Sequence, residues 1–240
     1  MSRPRIAVLA TGGGSNVQAL VGHFHVLGDS RAGDIVLVAS NKANTGALDR
    51  ARAANIETGL IATGRNPIGD SLDDLLTRHE IDIVVLAGYL QLIPPEVTRR
   101  FAGRMLNVHP APLPEFGGTG MYGGRVHCAV LASGVHLSGP TVHFVDEVYD
   151  HGATIAYWPV PVMADDDEHT LAARVLRAEH LLFPRVVQTV ALGTITQGND
   201  PVALDQLDPS LDDASLGLVV DQALKRIPAA SNADHADARG

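Results

Sequence analysis

Three uninterrupted apolar runs, Ile6-Ala7-Val8-Leu9-Ala10, Ile35-Val36-Leu37-Val38-Ala39 and Ile83-Val84-Val85-Leu86-Ala87, constrain this chain more than any other feature. Each has strand length and lacks polar alternation, so each reads as a strand buried on both faces. Helical patterns follow them: Val17, Leu20 and Val21 after the first, an alanine-rich segment over 45–54 after the second, and residues 95–101 after the third. A shorter strand over 57–61 and a helix marked by Leu72, Leu75 and Leu76 lie between. Four strand-then-helix units thus precede a further strand at Met105 to Val108. The alternation predicts an α/β fold: a single-domain, doubly wound, mainly parallel sheet of Rossmann-like type with right-handed crossovers. Ligands of such sheets bind at the carboxyl ends of the strands.

At the end of the fifth strand, Asn107 and His109 are two residues apart and project to one face. Pro110, Pro112 and Pro114 then forbid sheet pairing and stop a helix from starting, so the chain turns away over the edge. An amide and an imidazole are left side by side on the rim. The first strand ends on the same rim in Thr11-Gly12-Gly13-Gly14-Ser15-Asn16, with Ser15 or Asn16 expected as helix N-cap. Backbone N–H groups at such a start favour an anion, although a plain strand-to-helix turn explains the same glycines. A dinucleotide fingerprint fits poorly, because Val17 occupies the third glycine position counted from Gly12. A phosphate cradle is the reading carried forward.

Hydrophobic residues make up 45% of the 240 residues and aromatics 4%, enough for one sizeable aliphatic core. The single cysteine, Cys128, excludes an internal disulfide framework and is expected as a small core filler on a helix from Arg125 to Leu131. The start lacks the apolar segment of a signal peptide, and no apolar run approaches the roughly 18 residues of a membrane span. A soluble protein of a reducing cytoplasm, without a membrane partner, is expected. The formal charge of −9 and the lack of a Lys/Arg-rich stripe argue against nucleic acid. No metal is expected, because the histidines do not recur at ligand spacing.

Several loops carry further expectations. Gly88-Tyr89-Leu90-Gln91-Leu92-Ile93 is unusually apolar, so it packs onto the sheet or walls a pocket for a flat organic ligand. The glycine-rich stretch from Phe116 to Gly124 reads as a mobile loop over the rim. Thr141 to Val145 and Ala153 to Val162 read as two strands joined by a loop rich in acids, among them Asp150. Asp165-Asp166-Asp167-Glu168 opens a long helix that Pro184 should kink or end. Thr194 to Thr196 is expected as a small strand and 216–227 as an amphipathic piece.

Taken in order, these motifs resemble the folate-dependent phosphoribosylglycinamide formyltransferase family over roughly Arg5 to Thr196. The resemblance rests on Gly13-Gly14-Ser15-Asn16, Ser40-Asn41-Lys42, Leu86-Ala87-Gly88-Tyr89, Asn107-Val108-His109-Pro110, Thr141-Val142-His143-Phe144-Val145, Asp150-His151-Gly152 and Glu179-His180. It implies a formyltransferase domain over 1–197; beyond it, 198–227 is expected as an extension packed on or beside that domain, and 228–240, rich in Ala, Asp and Asn, as a disordered tail. It implies small-molecule substrates: 10-formyltetrahydrofolate as cosubstrate and glycinamide ribonucleotide as acceptor, in purine synthesis. By resemblance, Gly14, Ser15 and Asn16 hold the phosphate and Glu179 the ribose hydroxyls. Leu90, Gln91, Leu92 and Ile93 line the folate pocket with Asn107, and Arg65 is the one obvious cation for the folate tail. Asn107, His109 and Asp150 match the catalytic trio, and His143 either joins the site or packs the strand. Arg125 stands about where better-known members have histidine. A homodimer stays open.

The chemistry suits those residue types. An amine attacking a formyl carbon builds negative charge on the formyl oxygen, which Asn107 and a protonated His109 can stabilise. Asp150 beside His109 would raise its pKa and keep it cationic. Two other readings compete. Formyltetrahydrofolate deformylase resembles the same pattern with water as acceptor, but is expected to carry an amino-terminal domain before the first strand. A non-catalytic nucleotide-binding α/β module explains the glycine loop and leaves Asn107, His109 and Asp150 coincidental. Methionyl-tRNA formyltransferase would need a further domain and a basic surface.

Overall fold

The computed structural model describes residues 2–64 and 68–227. Arg65 and the expected tail over 228–240 lie outside the described residues. The apolar runs form β1 (Arg5–Leu9), β2 (Asp34–Ser40), β3 (Glu57–Leu60), β4 (Ile83–Leu86) and β5 (Met105–His109). Alternating with them are α1 (Ser15–Leu27), α2 (Gly46–Ala53), α3 (Leu72–Arg78) and α4 (Pro95–Arg100). After β5 come α5 (Gly124–Ser133), β6 (Leu137–Ser138), β7 (Thr141–Phe144), β8 (Thr154–Tyr157), β9 (Val160–Pro161), α6 (Glu168–Ala191), β10 (Val202–Ala203) and α7 (Asp213–Lys225).

The main sheet runs β10-β8-β7-β5-β4-β1-β2-β3. From β3 to β5 every pairing is parallel, whereas β7 is antiparallel to both β5 and β8. The expected mainly parallel α/β sheet is therefore present, with the order of strand addition reversing between β1 and β4. Such a switch point opens a crevice at the strands' carboxyl ends. Burial explains the unbroken apolar runs. Along β1, Ile6 and Val8 face one core while Ala7 and Leu9 face the other, all fully buried.

The structure departs from the sequence expectations in five places. The strand expected over 153–162 breaks into β8 and β9, which lie in different sheets. Pro159 cannot donate to a ladder, and Trp158 instead donates to the Pro140 carbonyl at 3.1 Å. Gly139 permits that crossing, since a Cβ there would lie 1.9 Å from the Trp158 oxygen. Thr194 to Thr196 is not a strand: Thr194 N–H folds back onto Thr189 at the end of α6, and Val202–Ala203 is the segment that joins β8. Pro184 does not end α6, which continues for 24 residues with Leu182, Phe183, Val186 and Val187 buried around it. That packing outweighs the roughly 3 kcal/mol an interior proline costs. Cys128 is exposed rather than a core filler, because α5 presents Val126, His127 and Val130 to the core and turns the next position outward. The N-cap of α1 is Gly14, in the left-handed region at φ 76° and ψ 31°, and neither Ser15 nor Asn16 caps the helix.

The carboxyl-terminal segment closes one side. Val202–Ala203 adds an edge strand, and α7 packs on α6 with Arg177 bound to Asp213 at 2.6 Å and Arg185 to Asp221 at 2.9 Å. No helix among the described residues is long and apolar enough to cross a membrane.

Candidate active site

A cleft of about 580 Å³ opens at the carboxyl ends of β1, β4 and β5, on the switch point. Its centre is built by strand register. Asn107 on β5 lies directly opposite His143 on β7, so their side chains meet across the antiparallel pair. The Asn107 amide donates to His143 Nε2 at 3.0 Å and to Asp150 Oδ1 at 3.3 Å. His143 gives its Nδ1–H to the Phe144 carbonyl at 2.8 Å, which leaves Nε2 as the acceptor.

Asp150 reaches the site from the loop after β7, held at φ 53°, a left-handed conformation that aspartate tolerates better than most residues. Its Oδ2 accepts the Gly118 N–H at 3.0 Å and lies 3.5 Å from His109 Nδ1. His109 Nε2 contacts the Phe116 carbonyl at 2.8 Å and is its donor, since a carbonyl can only accept. Both anchors, Phe116 and Gly118, belong to the glycine-rich loop. The sequence-predicted trio is brought together, and the loop is tied to it.

The electrostatics correct one expectation. Burial pushes His109 below the ordinary histidine range, and the pull of Asp150 and the Phe116 carbonyl toward the charged form does not cancel it. Asp150 thus does not hold His109 cationic in the ligand-free protein. Burial pushes Asp150 up, but His143, His109 and the Gly118 N–H more than offset it, holding the carboxyl below its usual range. Both shifts favour an anionic Asp150 beside a neutral His109, whose Nε2–H is given to Phe116 and whose Nδ1 lies 3.5 Å from Oδ2, two acceptors with room for one proton between them.

One end of the cleft is set by α1 and α6. Asn16, one residue into α1, donates to Glu179 of α6 at 2.6 Å, and both line the cleft. Gly14 caps α1 and Ser15 is its first residue, but neither is among the residues that line the cleft. A Cβ on Gly14 would sit 2.5 Å from the Ala47 Cα, so α2 packs against the loop as closely as glycine allows. Arg50 of α2 donates to the Gly13 carbonyl at 3.0 Å and to Gln18 at 3.1 Å, with no carboxylate partner among the described residues. Sequence reading missed this cation beside the glycine loop, as it sits on an ordinary polar helix face.

The opposite wall is apolar. Leu90 and Leu92 are 42% and 47% exposed, and Tyr122, Val148 and Tyr149 are also exposed around the same cleft. Ile93 is buried in the second core and fastens the segment, while Gln91 faces the opening. Thr11 joins the two ends: its Oγ1 accepts the Leu90 N–H at 3.3 Å, and its backbone N–H meets the Gly88 carbonyl at 3.1 Å.

Residues 4–187 match the formyl transferase family. The chain belongs to that family. This formyltransferase is 44% identical over 208 residues, 85% of its length, to the chloroplastic phosphoribosylglycinamide formyltransferase of Vigna unguiculata. The match spans 66% of that relative. Among solved structures, the phosphoribosylglycinamide formyltransferase of Brucella melitensis is 37% identical with a TM-score of 0.68, covering 81% of this chain and 98% of that one. A formyltetrahydrofolate deformylase from Pseudomonas syringae has a TM-score of 0.69 at 24% identity, covering 80% of this chain and 63% of that one, which shows a shared fold alone.

Proposed function

We propose that this formyltransferase moves the formyl group of 10-formyltetrahydrofolate to the amine of glycinamide ribonucleotide, a step of purine synthesis. One observation carries the reading: a single cleft holds the Asn107, His109 and Asp150 cluster at its centre, Asn16 and Glu179 beside a helix start at one end, and exposed leucines at the other. The phosphate belongs at the first turn of α1, where Gly14 and Ser15 offer free N–H groups and the helix dipole favours an anion. Glu179 then faces the ribose hydroxyls, with Asn16 bound to it between ribose and phosphate. Leu90, Gln91, Leu92 and Ile93 wall the pterin, a flat ring that suits apolar surface.

His109 and Asp150 together receive the proton that the attacking amine loses. The unfilled place between Nδ1 and Oδ2 is suited to it, and the proton makes His109 cationic during the reaction rather than before it. Once charged, His109 becomes a stronger donor toward the formyl oxygen, provided that oxygen replaces the Phe116 carbonyl at Nε2. Asn107 contributes the second donor by giving up its longer bond, the one to Asp150. Each such donor is worth about 10²–10³ in rate. The pair finally returns a proton to the departing folate nitrogen, so protons balance over the cycle.

An assay of folate release from a 10-formyl folate, with and without glycinamide ribonucleotide, tests the reading. Release that requires the ribonucleotide is expected. Release at the same rate without it would make water the acceptor and the enzyme a deformylase.

A further inference from the structure

Glu179 is 7% exposed, on the mid-length of α6, and among the described residues its side chain has one hydrogen-bond partner, the Asn16 amide. The Asn16 side-chain oxygen is buried with no hydrogen-bond partner among the described residues. The pair therefore offers three acceptor oxygens against one engaged N–H, and a buried acceptor without a donor costs about 1–3 kcal/mol. A proton on Glu179 would turn one of these acceptors into a donor.

Among the described residues no cation is paired with Glu179. On α6 itself, Arg174 is bound to Asp166, Arg177 to Asp213 and Arg185 to Asp221, while His180 answers to Asp213. From α1, His23 faces Arg185 and Asp221; from α5, His127 faces His109 and Glu168. Across the cleft, His109 and His143 are engaged with Asp150, and Asp146 with His151. Burial pushes Glu179 up to about 7, against a smaller downward pull from Asn16. An ionised Glu179 would also lie within one contact of the α1 start, where the proposed function seats a phosphate dianion. Like charges that close disfavour each other.

We propose that Glu179 is the neutral acid in the ribonucleotide complex, and that phosphate binding at the start of α1 draws a proton from solvent onto it. The inference rests on the ribonucleotide reading above. A neutral carboxyl can donate and accept, matching the paired hydroxyls of a ribose, and leaves the phosphate as the sole anion at that end. The carboxylate of the free protein at high pH must then be protonated before ligand enters, so affinity falls with rising pH.

Calorimetric titration of the full chain with glycinamide ribonucleotide, in two buffers of different ionisation enthalpy at pH 7.5, counts the protons. The wild type is expected to take up about half a proton or more beyond the count for Glu179→Gln, which mimics the neutral acid. Above pH 7 the wild type should weaken by up to about tenfold per pH unit relative to that variant. Equal proton counts, or a folded Glu179→Gln protein that binds about tenfold more weakly at pH 7, would overturn the inference. Should the variant fail to fold, the carboxyl ¹³C signal of Glu179 in the wild type decides: titration near 7 supports the neutral acid and titration below about 5 removes it. A wild type that produces no binding heat at any pH refutes the ribonucleotide reading itself.

Discussion

The two ends of the cleft are built on different physics. At the α1 end, backbone shape does the positioning: Gly14 is pressed against Ala47, Arg50 holds the Gly13 carbonyl, and Val17, Leu20 and Ala47 anchor the two helices in the core. At the β5 end, side-chain electrostatics do it: Asn107, His109, His143 and Asp150 hold one another and the loop through hydrogen bonds of 2.8 to 3.3 Å and charge contacts of 3.5 and 3.7 Å. A site that grips a fixed phosphate gains from a rigid backbone, whereas one that moves a proton gains from groups whose partners can be exchanged. Mutations should therefore separate the two, striking affinity and fold at one end and turnover at the other.

The largest separation should come from Asp150→Asn. The variant keeps the size and, through its one oxygen, the Gly118 contact, but gives up the bond from Asn107 and removes the charge that completes the proton place beside His109. We expect kcat to fall by about 10³-fold, within the range of lost general acid–base catalysis. The ribonucleotide KM and the melting temperature should change little. A fall in affinity with kcat preserved would mean that Asp150 belongs to binding.

Acid and base should also destabilise the two ends in opposite directions. The folded-state pKa of Glu179 is raised from 4.5 to about 7, so its contribution is fully present below pH 4.5 and is lost as pH rises through 7. His109 is lowered from 6.5, so its contribution is present above pH 6.5 and is lost as pH falls through the depressed value. Urea unfolding from pH 5 to pH 8 should thus show Glu179→Gln gaining on the wild type as pH rises, by on the order of 3 kcal/mol. His109→Gln should gain as pH falls. Parallel curves for the two variants would erase the distinction. In the same window, kcat should decline toward acid as the neutral His109 disappears.

How much of this contrast was legible in the sequence follows from what each end depends on. The apolar runs fixed the parallel strands, and the i, i+2 spacing of Asn107 and His109 with three prolines behind it placed them on the rim. The partnership of Asn107 with His143 was not legible, because it depends on the register of an antiparallel pair, which no local pattern declares. The charge state of His109 was misjudged for a related reason: the sequence shows the acid that raises its pKa, but not the burial that lowers it. Cys128 failed likewise, since the face of α5 that meets the core is set by His127, a polar residue. Arg50 was invisible because its role lies in a contact with the Gly13 carbonyl, thirty-seven residues away.

Replacing Gly14 by Ala tests the backbone end alone. The new methyl would meet Ala47 at 2.5 Å in a conformation with φ +76°, so α2 or the loop must shift. Stability should drop by about 1–3 kcal/mol, and the ribonucleotide KM should rise while kcat for bound substrate stays within a few-fold. Thermal unfolding and initial rates read these separately. A kcat loss as deep as that of Asp150→Asn would show that the glycine loop positions the amine and not merely the phosphate.

The mildest test is Arg50→Ala. Its guanidinium is exposed, and exposed charges near an anion site are worth about 1 kcal/mol or less. Two effects remain separable even so. If Arg50 acts by holding the Gly13 carbonyl, Arg50→Lys should not rescue, because a single ammonium cannot reproduce the fork that spans Gly13 and Gln18. If it acts as a cation near the phosphate, the lysine should restore affinity and the loss in Arg50→Ala should shrink with added salt. We expect a ribonucleotide KM raised about three- to fivefold, insensitive to salt and not rescued by lysine, because at the α1 end it is backbone placement that positions the ligand. Salt-sensitive rescue would instead extend the electrostatic mode of the β5 end across the whole cleft.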